Sequence, residues 1–95
     1  MKNLSPEAAK KRHDSLDHWT LEPTKIAKEF TFKDFGQAMG FVNRVAEVAE
    51  AEDHHPDIDI RYNKVKIALW THASNGLTEN DFILAAKVDA IISGK

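Results

Sequence analysis

The stretch AEDHHPDIDI, residues 51 to 60, sets His54 and His55 side by side, hemmed by carboxylates and stopped by Pro56. Imidazole titrates near neutrality, with an unperturbed pKa of about 6.5. One ring can therefore accept a proton while a neighbour beside a carboxylate stays charged and donates. A third imidazole, His72, follows Trp70 and Thr71, and Asp81 comes soon after; Glu50 and Asp53 lie just before the pair. If these segments converge, three imidazoles, several carboxylates and an indole line one pocket. Such a group suits proton transfer, and each positioned acid or base contributes roughly 10² to 10⁴ in rate. Elimination of water from an activated carbon is within that reach.

Plainer roles compete. His13 and His18 read as structural or simply exposed histidines. HHP alone could be a capped helix end, Asp81 alone a first-turn acid stabilised by the helix dipole, and Trp70 alone a packing residue. A zinc shell of three histidines and an aspartate is the sharper rival. Adjacent residues such as His54 and His55 seldom point at one ion, however, and no HxxxH or HxH spacing occurs, so no metal is expected. The absence of cysteine removes thiolate ligands, disulfides and cysteine nucleophiles, and neither Ser74 nor any other serine lies in a nucleophile elbow.

The 95 residues suit one domain spanning 1–95. A domain this small hides only about 60 percent of its unfolded surface, which makes self-association an expectation. Thirteen Lys and Arg against fifteen Asp and Glu give a net charge of −2. The basic residues are scattered apart from Lys10, Lys11 and Arg12, which argues against nucleic acid and for a small ligand or protein partner. No apolar run approaches the ~18 residues of a membrane span, and the first residues lack a signal-peptide core, so no membrane role is expected and a cytoplasmic location is the default.

The elements that must position the site follow from local signals. Ser5 caps and Pro6 starts a short outer helix over roughly 6 to 17, with a thin apolar face of Ala8, Ala9 and Leu16. WTLE and KIAKEFTF make a β-hairpin that buries Ile26, Phe30 and Phe32. From Asp34 to about Glu52, Phe35, Ala38, Met39, Val42, Val45, Ala46 and Ala49 recur along one helix face. Phe41 and Val48 widen that face, and part of so wide an arc could meet another subunit. Pro56 requires this helix to have ended by His55. IDIRY and VKIALW form a second hairpin around Asn63 and Lys64, Asn63 tolerating the positive φ of a tight turn. Thr78 and Asp81 resemble a capping box, opening a helix through Phe82, Ile83, Ala86 and Ile91 to Gly94. The order α-β-β-α-β-β-α implies an α+β fold: a four-stranded antiparallel sheet with three helices packed on one face. No internal repeat, low-complexity tract or linker stands out.

The segment EAEDHHPDIDIRYNKVKIALWTHASNGLTEND resembles the signature of the pterin-4a-carbinolamine dehydratases: an acid, three residues, His-His-Pro, an aromatic, a later histidine and an aspartate. Those positions are Glu50, His54, His55, Pro56, Tyr62, His72 and Asp81, and the likeness extends over nearly the whole chain from Trp19. The resemblance implies dehydration of 4a-hydroxytetrahydropterin to quinonoid dihydropterin, which returns the cofactor of aromatic amino acid hydroxylases to its reductase. It implies no metal and no bound cofactor, the pterin being the substrate. It implies His54 and His72 as acid and base, with His55 holding and orienting the pterin. Asp53 and the segment Trp70, Thr71 and His72 would line the same pocket, with Asp81 or Glu50 fixing imidazole tautomers. It also implies dimers or tetramers built through sheet edges and the central helix. A noncatalytic assembly or transcription accessory on the same fold is the competing reading.

Overall fold

The computed structural model describes residues 3 to 93. Helix α1 spans Pro6–Asp14, with Ser5 Oγ accepting from the Ala8 amide at 3.1 Å and Pro6 in the first turn, where a missing N–H costs nothing. It stops before the expected residue 17. The amides of Ser15 and Leu16 bond three residues back, to Arg12 and His13 carbonyls, and His18 takes a φ of 68°, which swings Trp19 inward.

Strand β1, Thr20–Leu21, is only two residues long and pairs antiparallel with β2, Ile26–Thr31. Helix α2, Phe35–Glu52, begins at Asp34, whose carboxylate accepts from the Gln37 amide at 2.9 Å. Strands β3, Asp57–Arg61, and β4, Lys64–Leu69, form the second hairpin, and β4 also pairs with β2, giving the sheet order β1-β2-β4-β3. Helix α3, Glu79–Ser93, closes the fold; the expected stop at Gly94 lies outside the described residues. Three helices and a four-stranded antiparallel sheet in the order α-β-β-α-β-β-α make the α+β fold expected.

Register explains the layering. Ile26 faces Leu69 and Phe30 faces Val65 across β2 and β4, and with Ile67 these side chains form the floor of the core. The helices lay Ala9, Ala38, Phe41, Val45, Phe82, Leu84, Ala85 and Val88 into the same core. Alternation sends Glu29, Lys64 and Lys66 to the opposite face of the sheet. None of the described helices is long and apolar enough to cross a membrane.

Two sequence expectations change here, one on α2 and one in the second hairpin. Phe41 is no flank of the α2 stripe but its centre, its ring 4.8 Å from that of Phe30 and 5.0 Å from that of Phe32, while Phe35 and Ala46 are exposed. The arc is wide enough that periodicity fits more than one orientation; packing against the sheet's aromatic side chains selects one. On α3 the inward set is Phe82, Leu84, Ala85 and Val88, with Ile83 and Ala86 outward, because that helix is apolar on most sides. In the second hairpin Tyr62, not Asn63, takes the positive φ of 54°, because Asn63 is tied to Phe32 by its side-chain amide and its carbonyl, each at 2.8 Å.

Truncating a buried aromatic ring removes transfer free energy and leaves a cavity. Phe41→Ala should therefore lose about 3 to 5 kcal/mol in urea unfolding and Phe41→Leu clearly less. Equal, negligible losses for both would contradict the central place of this ring.

Candidate active site

The site forms where the end of α2, the end of β4 and the start of α3 meet. Helix α2 ends because Asp53 adopts a left-handed conformation, φ 52° and ψ 42°, one that aspartate tolerates better than most residues. Its amide and that of His54 return to the Glu50 and Ala49 carbonyls, which fixes the direction in which His54 and His55 leave the helix. Pro56 then passes the chain into β3. The end of β4 supplies Trp70 and Thr71. A short loop follows, closed by the pairing of Thr71 with Gly76, and carries His72. The start of α3 supplies Asn80 and Asp81.

Asp81 is fully buried and collects donors from all three ends. Its Oδ1 meets His54 Nε2 at 2.6 Å, and its Oδ2 accepts from the Thr71 hydroxyl and the Thr78 amide, both at 2.9 Å. The bond from the Thr78 amide is the return half of the expected capping box. The Thr78 hydroxyl lies 2.8 Å from that of Thr71 and accepts from the Asn80 amide at 3.3 Å. A carboxylate can only accept, so Thr71 must donate to Asp81, Thr78 must then donate to Thr71, and Thr78 is left to accept from Asn80. Both threonine hydroxyl protons are thereby placed. With Nε2–H of His54 pointing at Asp81, Nδ1 is left as the ring nitrogen free to act.

The other two rings are held more loosely. His55 Nε2 lies 2.8 Å from Glu50 Oε2, both side chains largely exposed. His72 is exposed and lies against the Trp70 indole, with centroids 3.9 Å apart and planes 33° apart. The indole N–H in turn donates to Asp57 Oδ2 at 3.0 Å.

Asp53, His54, His55, Trp70, Thr71, His72, Ala73 and Asn80 line one open hollow of about 320 Å³. The structure thus brings together His54, His55, His72, Asp53, Trp70 and Thr71, with Asp81 behind His54 and Glu50 beside His55. Tyr62 is not among them. It sits exposed in the β3–β4 turn, at the other end of the strand from Asp57, because a residue fixed in the signature by spacing can serve the hairpin rather than the hollow. Asn80 and Asp57 were not anticipated from sequence. An acid in a strand that alternates apolar and polar residues gives no local sign that an indole awaits it. Among the described residues no group of three or more His, Cys, Asp or Glu side chains is arranged to hold one metal ion.

A four-stranded antiparallel sheet under three helices, with an imidazole-lined hollow set on a buried carboxylate, defines a class of small α+β proteins with one polar site at a helix exit. The family model described as pterin 4 alpha carbinolamine dehydratase matches residues 2–91, and the chain belongs to that family. It is 52% identical over 92 residues, 97% of this chain and 100% of the relative, to a protein of Acidobacterium capsulatum named "Putative pterin-4-alpha-carbinolamine dehydratase". A protein of the same name from Nitrosospira multiformis is 48% identical over 96% of this chain and 80% of its own length. Among solved structures, a transcriptional coactivator/pterin dehydratase from Brucella melitensis superposes with a TM-score of 0.91 at 38% identity, covering 95% of this chain and 98% of that one. A pterin dehydratase-like protein identified as a RuBisCO assembly factor in the alpha-carboxysome gives 0.64 at 28% identity, over 77% of this chain and 84% of that one.

Replacing Thr71 with valine keeps the shape but leaves Asp81 Oδ2 and the Thr78 hydroxyl each short of a buried partner. Such orphaned groups cost about 1 to 3 kcal/mol. Thr71→Val should lower the free energy of unfolding by that amount in a denaturant titration, and an unchanged midpoint would contradict the network.

Proposed function

We propose that this protein is a dehydratase acting on 4a-hydroxytetrahydropterin, releasing water and quinonoid dihydropterin in the recycling of tetrahydrobiopterin. The observation that carries the reading is the single hollow lined by three imidazoles, one of them backed by a buried carboxylate. Family membership supports it.

The chemistry needs only proton transfers. The carbon that bears the hydroxyl also bears a ring nitrogen. When an acid protonates the hydroxyl, the nitrogen lone pair forms the new C=N bond, the C–O bond breaks and water leaves. A base then removes a ring proton. No electrons are gained or lost overall, so the reaction calls for no redox cofactor. His54 and His72 serve as acid and base, and His55, on the rim with Glu50, holds and orients the bicycle. Asp81 acts through His54 by fixing its tautomer and ring plane; the flat face of Trp70, the Asp53 carboxylate and the Thr71 segment complete the binding surface.

Self-association belongs to the same proposal. With Phe41 turned inward, the stripe that α2 leaves partly or fully exposed is Phe35, Met39, Val42 and Ala46, an apolar row suited to a second copy in a dimer or tetramer. A second reading, an assembly or transcription accessory without catalysis, is favoured by the descriptions of the two structural neighbours.

A coupled hydroxylase assay separates the two. Purified protein should accelerate loss of the 4a-hydroxyl, and His54→Ala or His72→Ala should each lower turnover at least about tenfold. Asp81→Asn, which offers His54 an amide in place of a carboxylate, should also lower it while the protein stays folded. A wild-type rate no faster than the spontaneous one leaves only the accessory reading.

A further inference from the structure

Asp57 lies outside the hollow and takes no part in the steps above, yet its contacts lead directly to one of the reacting rings. It opens β3 and pairs with Ala68 of β4. Ala68 and Trp70 share strand parity, so Asp57 and Trp70 are diagonal neighbours on the sheet face away from the helices, a spacing that long side chains bridge. The bridge is the hydrogen bond from the indole N–H to Asp57 Oδ2, at 3.0 Å. Its direction is unambiguous, since indole only donates and carboxylate only accepts.

The His72 ring, by contrast, has no hydrogen bond or ion pair among the described residues. Its one ring partner is that same indole, at 3.9 Å. An exposed imidazole without a polar partner takes its orientation from whatever flat surface it rests on, and that surface is held in place by Asp57. His54 and His72 are therefore positioned by different means, the first by a buried carboxylate touching the ring and the second by an exposed carboxylate acting through an aromatic intermediary.

We propose that Asp57 is a positioning residue for His72, acting through the Trp70 indole, and that its contribution is hydrogen-bond acceptance rather than charge. The proposal rests on the dehydratase reading of the hollow. Misplacing a reacting group by about an ångström can cost up to roughly 10² in rate, so the loss should appear in kcat rather than in KM.

The test compares wild type, Asp57→Ala, Asp57→Asn and Trp70→Phe by steady-state kinetics and by proton NMR of the His72 ring, with Trp70→Ala marking the resonance positions of an unstacked imidazole. The indole ring current should displace the His72 carbon-bound protons in wild type. In Asp57→Ala those resonances should move most of the way to their Trp70→Ala positions. In the same variant kcat should fall about tenfold and KM change less than about threefold, consistent with a lost orientation. Asp57→Asn, which keeps an acceptor and loses the charge, should retain the wild-type resonances and kcat within about twofold. Trp70→Phe should lose kcat as Asp57→Ala does, and combining the two should add little, as expected of residues acting in series.

Unmoved His72 resonances in Asp57→Ala, displaced resonances with an unchanged kcat, or equal damage from Asn and Ala would each overturn the proposal. Wild-type turnover matched by Asp57→Ala defeats this inference alone. Wild-type protein that leaves the spontaneous rate unchanged defeats the dehydratase reading and this inference with it.

Discussion

A carboxylate with no solvent exposure must be given donors by the protein, because an ionised acid taken from water without them is too costly to keep. Asp81 receives them from His54, Thr71 and Thr78, which belong to the exit of α2, the end of β4 and the approach to α3. Satisfying this one group therefore requires that a helix end, a strand end and a helix start be in place together. Leu69 and Phe82, buried on either side of the network in the chain, tie it to the hydrophobic layer between sheet and helices.

The same arrangement divides the three imidazoles into one held from the interior and two held at the exposed rim. His54 is largely buried and bonded to a buried acid, so its ring plane and tautomer are settled by the interior. His55 and His72 face solvent, one beside an exposed glutamate and one against an indole. Polar contacts between exposed side chains contribute little to stability, so the His55–Glu50 contact does not restrain the ring as Asp81 restrains His54.

Where local physics alone decided the outcome, sequence and structure agree. The Ser5 cap, the Thr78–Asp81 box, the end of α2 before Pro56 and the alternation of β2 and β4 each depend on groups within a few residues of one another. Disagreements arose where several local solutions had similar energy. Phe41 and Phe35 both fit an apolar helix stripe, and only the aromatic surface of β2 distinguishes them. Tyr62 and Asn63 both fit a tight turn, and the carbonyl and amide of Phe32 recruited Asn63 into a tethering role.

By itself the sequence determined the elements, their order and the residue types available for proton transfer, because capping, alternation and helical period act over the range of a turn or two. Residue types allowed His54, His72 and Asp81 to be grouped only as a condition, and the family signature strengthened it, since nothing local links residues so far apart. Tertiary structure alone decided that Asp81 is buried beneath His54, that Tyr62 stands away from the hollow, and that Asp57 reaches the Trp70 indole across two strands. Those outcomes depend on sheet register and on which helix face the core accepts, and both are set by the whole chain packing at once.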